Sequence, residues 1–224
     1  MGLLLKIWSY YQTNGILSTF RKVSHKIWLR TRIIVYRKAI TNAKASPEYS
    51  DVVFREAKVD EISWLCNQMP HLGSKAQLLL EQQFQPGDKT IIGVTTGDQP
   101  ITVFHTWISH SPEDRGLQLL QNRVNKNDAT TKRTWVHMDF RRQGLGTRGE
   151  LFAEYTAWQS GIKNIWVFIW EKNQASRKLH EQLGYELAGE IQLENRWAKH
   201  FALVKGKEDR HWDRISLPAD VWLL

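Results

Sequence analysis

Apolar residues in this 224-residue chain follow two alternating rhythms. Val52-Val53-Phe54-Arg55-Glu56-Ala57, Lys89-Thr90-Ile91-Ile92-Gly93-Val94, Ile101-Thr102-Val103-Phe104-His105-Thr106-Trp107 and Ile165-Trp166-Val167-Phe168-Ile169-Trp170 have the length and the β-branched and aromatic content of strands. Asp60 is placed to cap a helix running through Leu65 and beyond, and Gly73 to Gln85 predicts another. Between the second and third strands, Gly97-Asp98-Gln99-Pro100 signals a hairpin. A polar stretch from Ser109 to Arg133 precedes the apolar run Trp135-Val136-His137-Met138-Asp139-Phe140, and a helix-like run opens at Thr147. Two more strands are expected at about 186–193 and 197–204. Helices and strands that alternate around a central hairpin predict an α/β sheet of mixed direction. There is no internal repeat and no low-complexity tract.

Charge separates the N-terminal segment from the rest. Residues 1–50 hold nine Lys/Arg (Lys6, Arg21, Lys22, Lys26, Arg30, Arg32, Arg37, Lys38 and Lys44) against Glu48 alone, and the other 22 Lys/Arg are matched by 22 Asp/Glu. Ile16, Leu17, Phe20, Val23, Ile27 and Trp28 recur at helical spacing with Arg21, Lys22, Lys26 and Arg30 between them, which predicts a basic amphipathic helix. Such a helix can dock on its own domain, on a partner subunit or on an anionic membrane surface, and nucleic acid ranks behind these. Leu3-Leu4-Leu5 is cut short by Lys6 and followed by no cleavage-site pattern, so no secretory signal is expected. No segment has the ~20 apolar residues of a membrane span. The expected location is the cytoplasm, with the N-terminal segment able to hold the protein at the inner membrane face.

The chain, 42% hydrophobic, can bury one sizeable core and is expected to form one main domain, with segments 1–50 before it and 206–224 after it. The eleven tryptophans fit core and pocket wall. The lone Cys66 excludes an intrachain disulfide, and eight scattered histidines lack the short spacing of a metal site, so no required metal is expected.

The richest chemistry lies at Arg141-Arg142-Gln143-Gly144-Leu145-Gly146, between the Trp135–Phe140 run and the helix from Thr147. Two glycines let backbone N–H groups approach a pyrophosphate at the positive end of a helix, and Thr147 adds a hydroxyl. Downstream, Asn173-Gln174-Ala175-Ser176-Arg177-Lys178-Leu179-His180-Glu181-Gln182-Leu183-Gly184-Tyr185 reads as an Asn-capped helix closed by Gly184. Together, in this order and spacing, the two stretches resemble the loop and helix motifs of the GNAT superfamily of acyl-CoA N-acyltransferases, over roughly residues 51–205.

The resemblance implies a mixed central sheet flanked by helices, with acetyl-CoA or another acyl-CoA as co-substrate and an amine-bearing acceptor. It places pantetheine on the main chain of Val136 and Met138, and pyrophosphate on Arg141, Arg142, Gln143, Gly144, Leu145, Gly146 and Thr147, with countercharge from Arg142 and Arg148. Asn173, with Ser176 on the same helix, belongs to the cofactor site.

Direct transfer needs a base for the amine and an acid for the departing thiolate. His180 stands where the family often has a tyrosine acid; histidine can donate near neutral pH, and the plain alternative is a helix position facing solvent. Ala129 to Thr134 holds neither glutamate nor histidine, so Asp128, His137 and Asp139 are the nearest bases, the last two also fitting structural consensus positions. The expected activity is N-acyl transfer, most simply acetyl, to a primary amine of a small molecule, amino sugar or peptide. The alternative is an acyl-CoA-binding sensor or scaffold without turnover, recruited through residues 1–50.

Overall fold

Antiparallel hairpins followed by one parallel pairing organise the larger part of the computed structural model, which describes residues 30–42, 51–69, 76–110, 114–120, 123–196, 199–207, 209, 211 and 213–217. Strands β1 (Arg30–Ala39), β2 (Val52–Glu56), β3 (Lys89–Thr95), β4 (Thr102–Ser109), β5 (Asp128–Val136) and β6 (Asn164–Trp170) are joined by helices α1 (Ile62–Gln68), α2 (Ala76–Glu81), α3 (Arg115–Leu120) and α4 (Leu145–Gln159). Helix α5 (Gln174–Gln182) and strands β7 (Glu186–Arg196), β8 (Lys199–Gly206) and β9 (Asp213–Leu217) follow. The chain divides into a unit of residues 35–188 and a second one made of residues up to 34 together with 189 onward.

In the larger unit the strand order is β2-β3-β4-β5-β6-β1. Pairing is antiparallel from β2 to β5, and β5 runs parallel to β6. The expected α/β sheet of mixed direction is therefore present. Side-chain alternation assigns the two faces. Ile92 and Val94 join Ala57, Leu65, Met69 and Leu80 in a core beneath α1 and α2. Phe104 points the opposite way, against Gly149 of α4, where an added Cβ would collide with the ring. Each fully buried Leu or Ile in such a core contributes about 1.5–3 kcal/mol.

The smaller unit pairs β7 with β8 and β8 with β9, both antiparallel. Arg32 of β1 donates from Nε to Glu190 of β7 across 2.9 Å.

Five sequence expectations shift. Residues 1–29 lie outside the described residues, and with them all but the last residue of the helix expected from Ile16 to Arg30; Arg30 itself opens strand β1, so part of the basic segment belongs to the folded body. The polar stretch from Ser109 to Arg133 contains α3 and most of β5. The run Trp135–Phe140 is strand only through Val136, and Met138–Phe140 turns as a 3-10 helix. Asp60 is not the cap: the Glu61 carboxylate accepts from the Lys58 N–H at 2.8 Å. Within the segment read as a C-terminal tail, Asp213–Leu217 is strand β9.

Candidate active site

Strand β5 carries a bulge. His105 faces Trp135 and Trp107 faces Lys132, so Thr106 alone opposes both Arg133 and Thr134. Arg133 takes φ 57°, a left-handed conformation uncommon for a residue with a side chain. Its carbonyl accepts from Nδ1–H of the buried His105 at 3.3 Å, which holds the bulge in place. The parallel ladder to β6 runs from Asp128↔Asn164 to Thr131↔Val167 and stops there. Past the bulge, the stretch of β5 from 132 to 136 has left its parallel partner.

That open stretch leads into the glycine loop. Gly144 sits at φ 75° and serves as N-cap of α4. Arg148 N–H closes the first helical hydrogen bond on the Gly144 carbonyl, 3.1 Å away. The N–H groups of Leu145, Gly146 and Thr147 come before it in the first turn, where helix geometry offers no intrahelical acceptor. Arg142, also left-handed at φ 62°, helps reverse the chain. The Arg148 guanidinium bonds the Gln143 carbonyl at 2.7 Å and fixes the loop from behind. The two glycines differ in purpose: at Gly146 a Cβ would lie 3.6 Å from Leu179 and 3.7 Å from Val136, ordinary contact. Only Gly144 is demanded by backbone conformation.

These features fit a pyrophosphate-bearing ligand: three unpaired N–H groups, the positive helix end and exposed Arg141 and Arg142 meet at one turn. The Val136 carbonyl, expected to meet pantetheine, here accepts from Arg141 Nε at 3.1 Å. Met138 is exposed, and its carbonyl closes the 3-10 turn onto Arg141 N–H at 3.4 Å.

Across from the loop, Leu179 of α5 contacts the Gly146 position. The Asn173 side chain accepts from Ser176 N–H at 3.2 Å and caps α5, as its spacing predicts. His180 is not on a solvent face: it is buried with 1% exposure. Its Nδ1–H donates to the Ser176 carbonyl at 2.8 Å, its ring meets Tyr185 edge-on at 5.0 Å, and Nε2 has no partner. A neutral ring with its proton on Nδ1 presents a lone pair at Nε2.

Sequence reasoning missed the carboxylates of α4. Glu150 and Glu154 are both buried on the helix face that also buries Leu145, Gly149, Ala153 and Ala157. Glu150 Oε1 accepts from the Thr134 hydroxyl at 2.5 Å, and Glu154 Oε2 pairs with Lys38 of β1 at 2.6 Å. Burial raises the pKa of Glu154, opposed by Lys38 and reinforced by Glu150. The Tyr185 hydroxyl is held well above its ordinary pKa by burial and then by the charges of Glu154 and Glu150. The available signal was charge at two positions, four residues apart, on an otherwise small and apolar stripe.

Of the bases suggested by sequence, Asp128 lies in the core and His137 and Asp139 lie at the turn that follows β5. Asp128 accepts from Asn164 Nδ2 at 2.7 Å and Trp166 Nε1 at 2.8 Å, a buried structural role. His137 Nδ1 accepts from Asp139 N–H at 3.4 Å, its ring lies between those of Trp135 and Phe140, and Asp139 is largely exposed. Among the described residues no group of three His, Cys, Asp or Glu side chains could hold a metal ion, and no helix is long and apolar enough to cross a membrane.

The sequence profile of the Acetyltransferase (GNAT) family matches residues 57–185. No curated protein matches the chain. Similar solved structures include the GCN5-related glucosamine N-acetyltransferase region of a fungal multi-domain GH3 β-N-acetylglucosaminidase, at TM-score 0.60 and 15% identity, covering 83% of this chain and 23% of that one. A GCN5-related N-acetyltransferase from Sphaerobacter thermophilus follows at TM-score 0.56 and 12% identity, with 82% and 58% covered. One from Kribbella flavida stands at TM-score 0.53 and 14% identity, with 81% and 64% covered. The chain thus spans less than two thirds of each of these relatives, and at such identities the likeness is one of fold.

Proposed function

Because the chain belongs to the Acetyltransferase (GNAT) family, we propose that it is an N-acyltransferase moving an acyl group, most simply acetyl, from acyl-CoA directly to a primary amine of a small molecule, amino sugar or peptide. The observation that carries this reading is the junction of β5 and α4, where the open edge past Thr131 runs into a helix N-terminus turned outward by Gly144. Leu145, Gly146 and Thr147 would hold the pyrophosphate through main-chain N–H groups, with Arg142 supplying countercharge. Val136 and Met138 would meet the pantetheine arm, with Arg141 releasing the Val136 carbonyl. Asn173 and Ser176 would flank the arm from α5.

Bound acyl-CoA supplies a thioester activated toward amines. The chain must then orient the amine, accept a proton from its nitrogen and provide one at the sulfur. His180 is the proposed acid, which requires its Nε2 to be protonated before it can donate.

A second reading, CoA binding without turnover, is favoured by one observation: His180 is buried and tied to its own helix through Nδ1. Thiol release from acetyl-CoA in the presence of glucosamine, spermidine and an N-terminal-alanine peptide separates the two. Release with any of these amines supports transfer; calorimetric CoA binding with no release supports the second reading. A cytoplasmic site where acyl-CoA is present, and attachment to anionic membrane through the basic segment of residues 1–50, belong to the same proposal. Salt-sensitive co-sedimentation with anionic vesicles tests the attachment.

A further inference from the structure

The amine needs a proton acceptor; of the groups expected from sequence, Asp128 is committed to Asn164 and Trp166, and His137 Nδ1 accepts from Asp139 N–H. A different acceptor lies beneath the bulge. Thr134 occupies the part of β5 that has left β6, half-buried, with its hydroxyl turned toward α4. It donates to Glu150 Oε1 at 2.5 Å and lies 3.0 Å from the Thr106 hydroxyl. A hydroxyl oxygen has two lone pairs, so whether the Thr106 proton goes to Thr134 or to the Lys132 carbonyl 3.3 Å away, at least one lone pair stays open to an incoming N–H. Glu150 itself has no exposure, and its Oε2 is buried without a partner. That oxygen keeps its lone pairs for a further hydrogen bond, and Oε1 holds the Thr134 hydroxyl in line with it.

Resting on the acyl-transfer reading above, we propose that Thr134 and Glu150 form a proton relay serving the attacking amine. The nitrogen bonds to the thioester carbonyl carbon, and the carbon–sulfur bond breaks with its electron pair going to sulfur. The surplus proton on nitrogen passes to Thr134 Oγ as the threonine's own hydroxyl proton passes to Glu150 Oε1. The same path run backward releases that proton to water, which resupplies the His180 acid after it has protonated the thiolate, and the carboxylate is regenerated. Thr134 is the group that touches the reacting amine, and Glu150 acts through it as a positioning and proton-holding residue.

The charged and titratable groups near Glu150 are Glu154 on the same helix, Lys38 of β1, which pairs with Glu154, and Tyr185, which precedes β7 and packs against His180 of α5. Lys38 pairs with Glu154, and among the described residues Glu150 Oε2 has no hydrogen-bond partner.

The test is the pH profile of kcat/KM for acetyl-CoA with the best of glucosamine, spermidine or the N-terminal-alanine peptide, beside calorimetric CoA affinity. Glu150→Gln and Thr134→Val should each lower kcat/KM by about 10²-fold or more, remove the limb that rises with pH and leave CoA affinity within about twofold. Thr134→Ser, which keeps the hydroxyl, should restore most of the rate. The double variant Thr134→Val/Glu150→Met replaces both partners by apolar groups and should melt no lower than the parent while remaining slow. A folded Glu150→Gln protein with the parent rate and profile overturns the relay, as does Thr134→Ser behaving like Thr134→Val. A parent protein that binds CoA but acylates none of these amines overturns the relay and leaves CoA binding standing.

Discussion

The Nδ1 of His180 lies 2.8 Å from the backbone oxygen of Ser176, one turn earlier on the same helix. This bond orients the ring and points the unpartnered Nε2 away from the helix backbone, beside Tyr185. It makes His180→Gln the informative substitution, because a glutamine amide can still donate to Ser176 but cannot titrate. Turnover should fall about 10²-fold while CoA affinity stays nearly constant. Unchanged turnover in a folded variant assigns the histidine to packing against Tyr185. His180→Tyr is the poorer probe: the site is fully buried, and overpacking costs about 1–3 kcal/mol.

The glycine loop allows a sharper experiment than replacing both glycines together. Gly144→Ala forces a side chain into φ 75°, a strain of about 1–2 kcal/mol that the loop can relieve only by turning its N–H groups away. CoA affinity should drop at least tenfold. Gly146→Ala meets only ordinary contacts with Leu179 and Val136, and both melting temperature and affinity should stay close to the parent. Calorimetry on the two variants reads the difference; equal losses would mean that the loop does not depend on the Gly144 conformation.

Much of this site was legible because its signals are local. A glycine pair, a helix start and an asparagine cap each act within a few residues, so the loop and α5 could be placed from spacing alone. Strand β5 was hidden because its buried residues are polar: Asp128 and Thr130 hydrogen-bond to Asn164, Trp166 and Asp114, and Thr131 is buried beside them. Strand β1 was hidden for another reason: the run Ile33-Ile34-Val35-Tyr36 is embedded in basic residues, and the net charge of the segment suggested a detached appendage. The Thr134–Glu150 contact joins residues that only tertiary packing brings together, sixteen apart across a turn.

Two carboxylates should give opposite pH signatures in thermal melts. The hydrogen bond from Arg55 holds the Glu61 pKa below its ordinary value, so this group adds stability above the ordinary carboxylate range, and the gain is lost as pH falls through its folded pKa. Glu154 is shifted up by burial. Its contribution is fully present below the ordinary range and is lost as pH rises through its raised folded pKa. Measured from acid to neutral pH, Glu61→Gln should become progressively less stable than the parent. Glu154→Gln, which can still accept from Lys38, should gain on it over the upper part of the same range. Parallel curves for both variants would contradict the assigned shifts.

Truncation tests where the folded body begins. The charge pattern alone suggests that a chain starting near Ser50 keeps CoA binding, but β1 carries two contacts that the larger unit needs. The buried Tyr36 donates to Glu181 at 2.6 Å and accepts from Arg177 Nε at 3.1 Å, pinning α5. Lys38 neutralises the buried Glu154 of α4. Removing the partner of a buried charge costs about 3–5 kcal/mol, comparable to the whole stability of a small domain. A chain starting at Leu29 should therefore melt and bind CoA like the full protein, whereas one starting at Ser50 should unfold or lose binding. If the shorter chain kept both the melting temperature and the CoA affinity of the longer one, β1 would be dispensable, and the β1 contacts with α4 and α5 could not be what holds those helices beside the site.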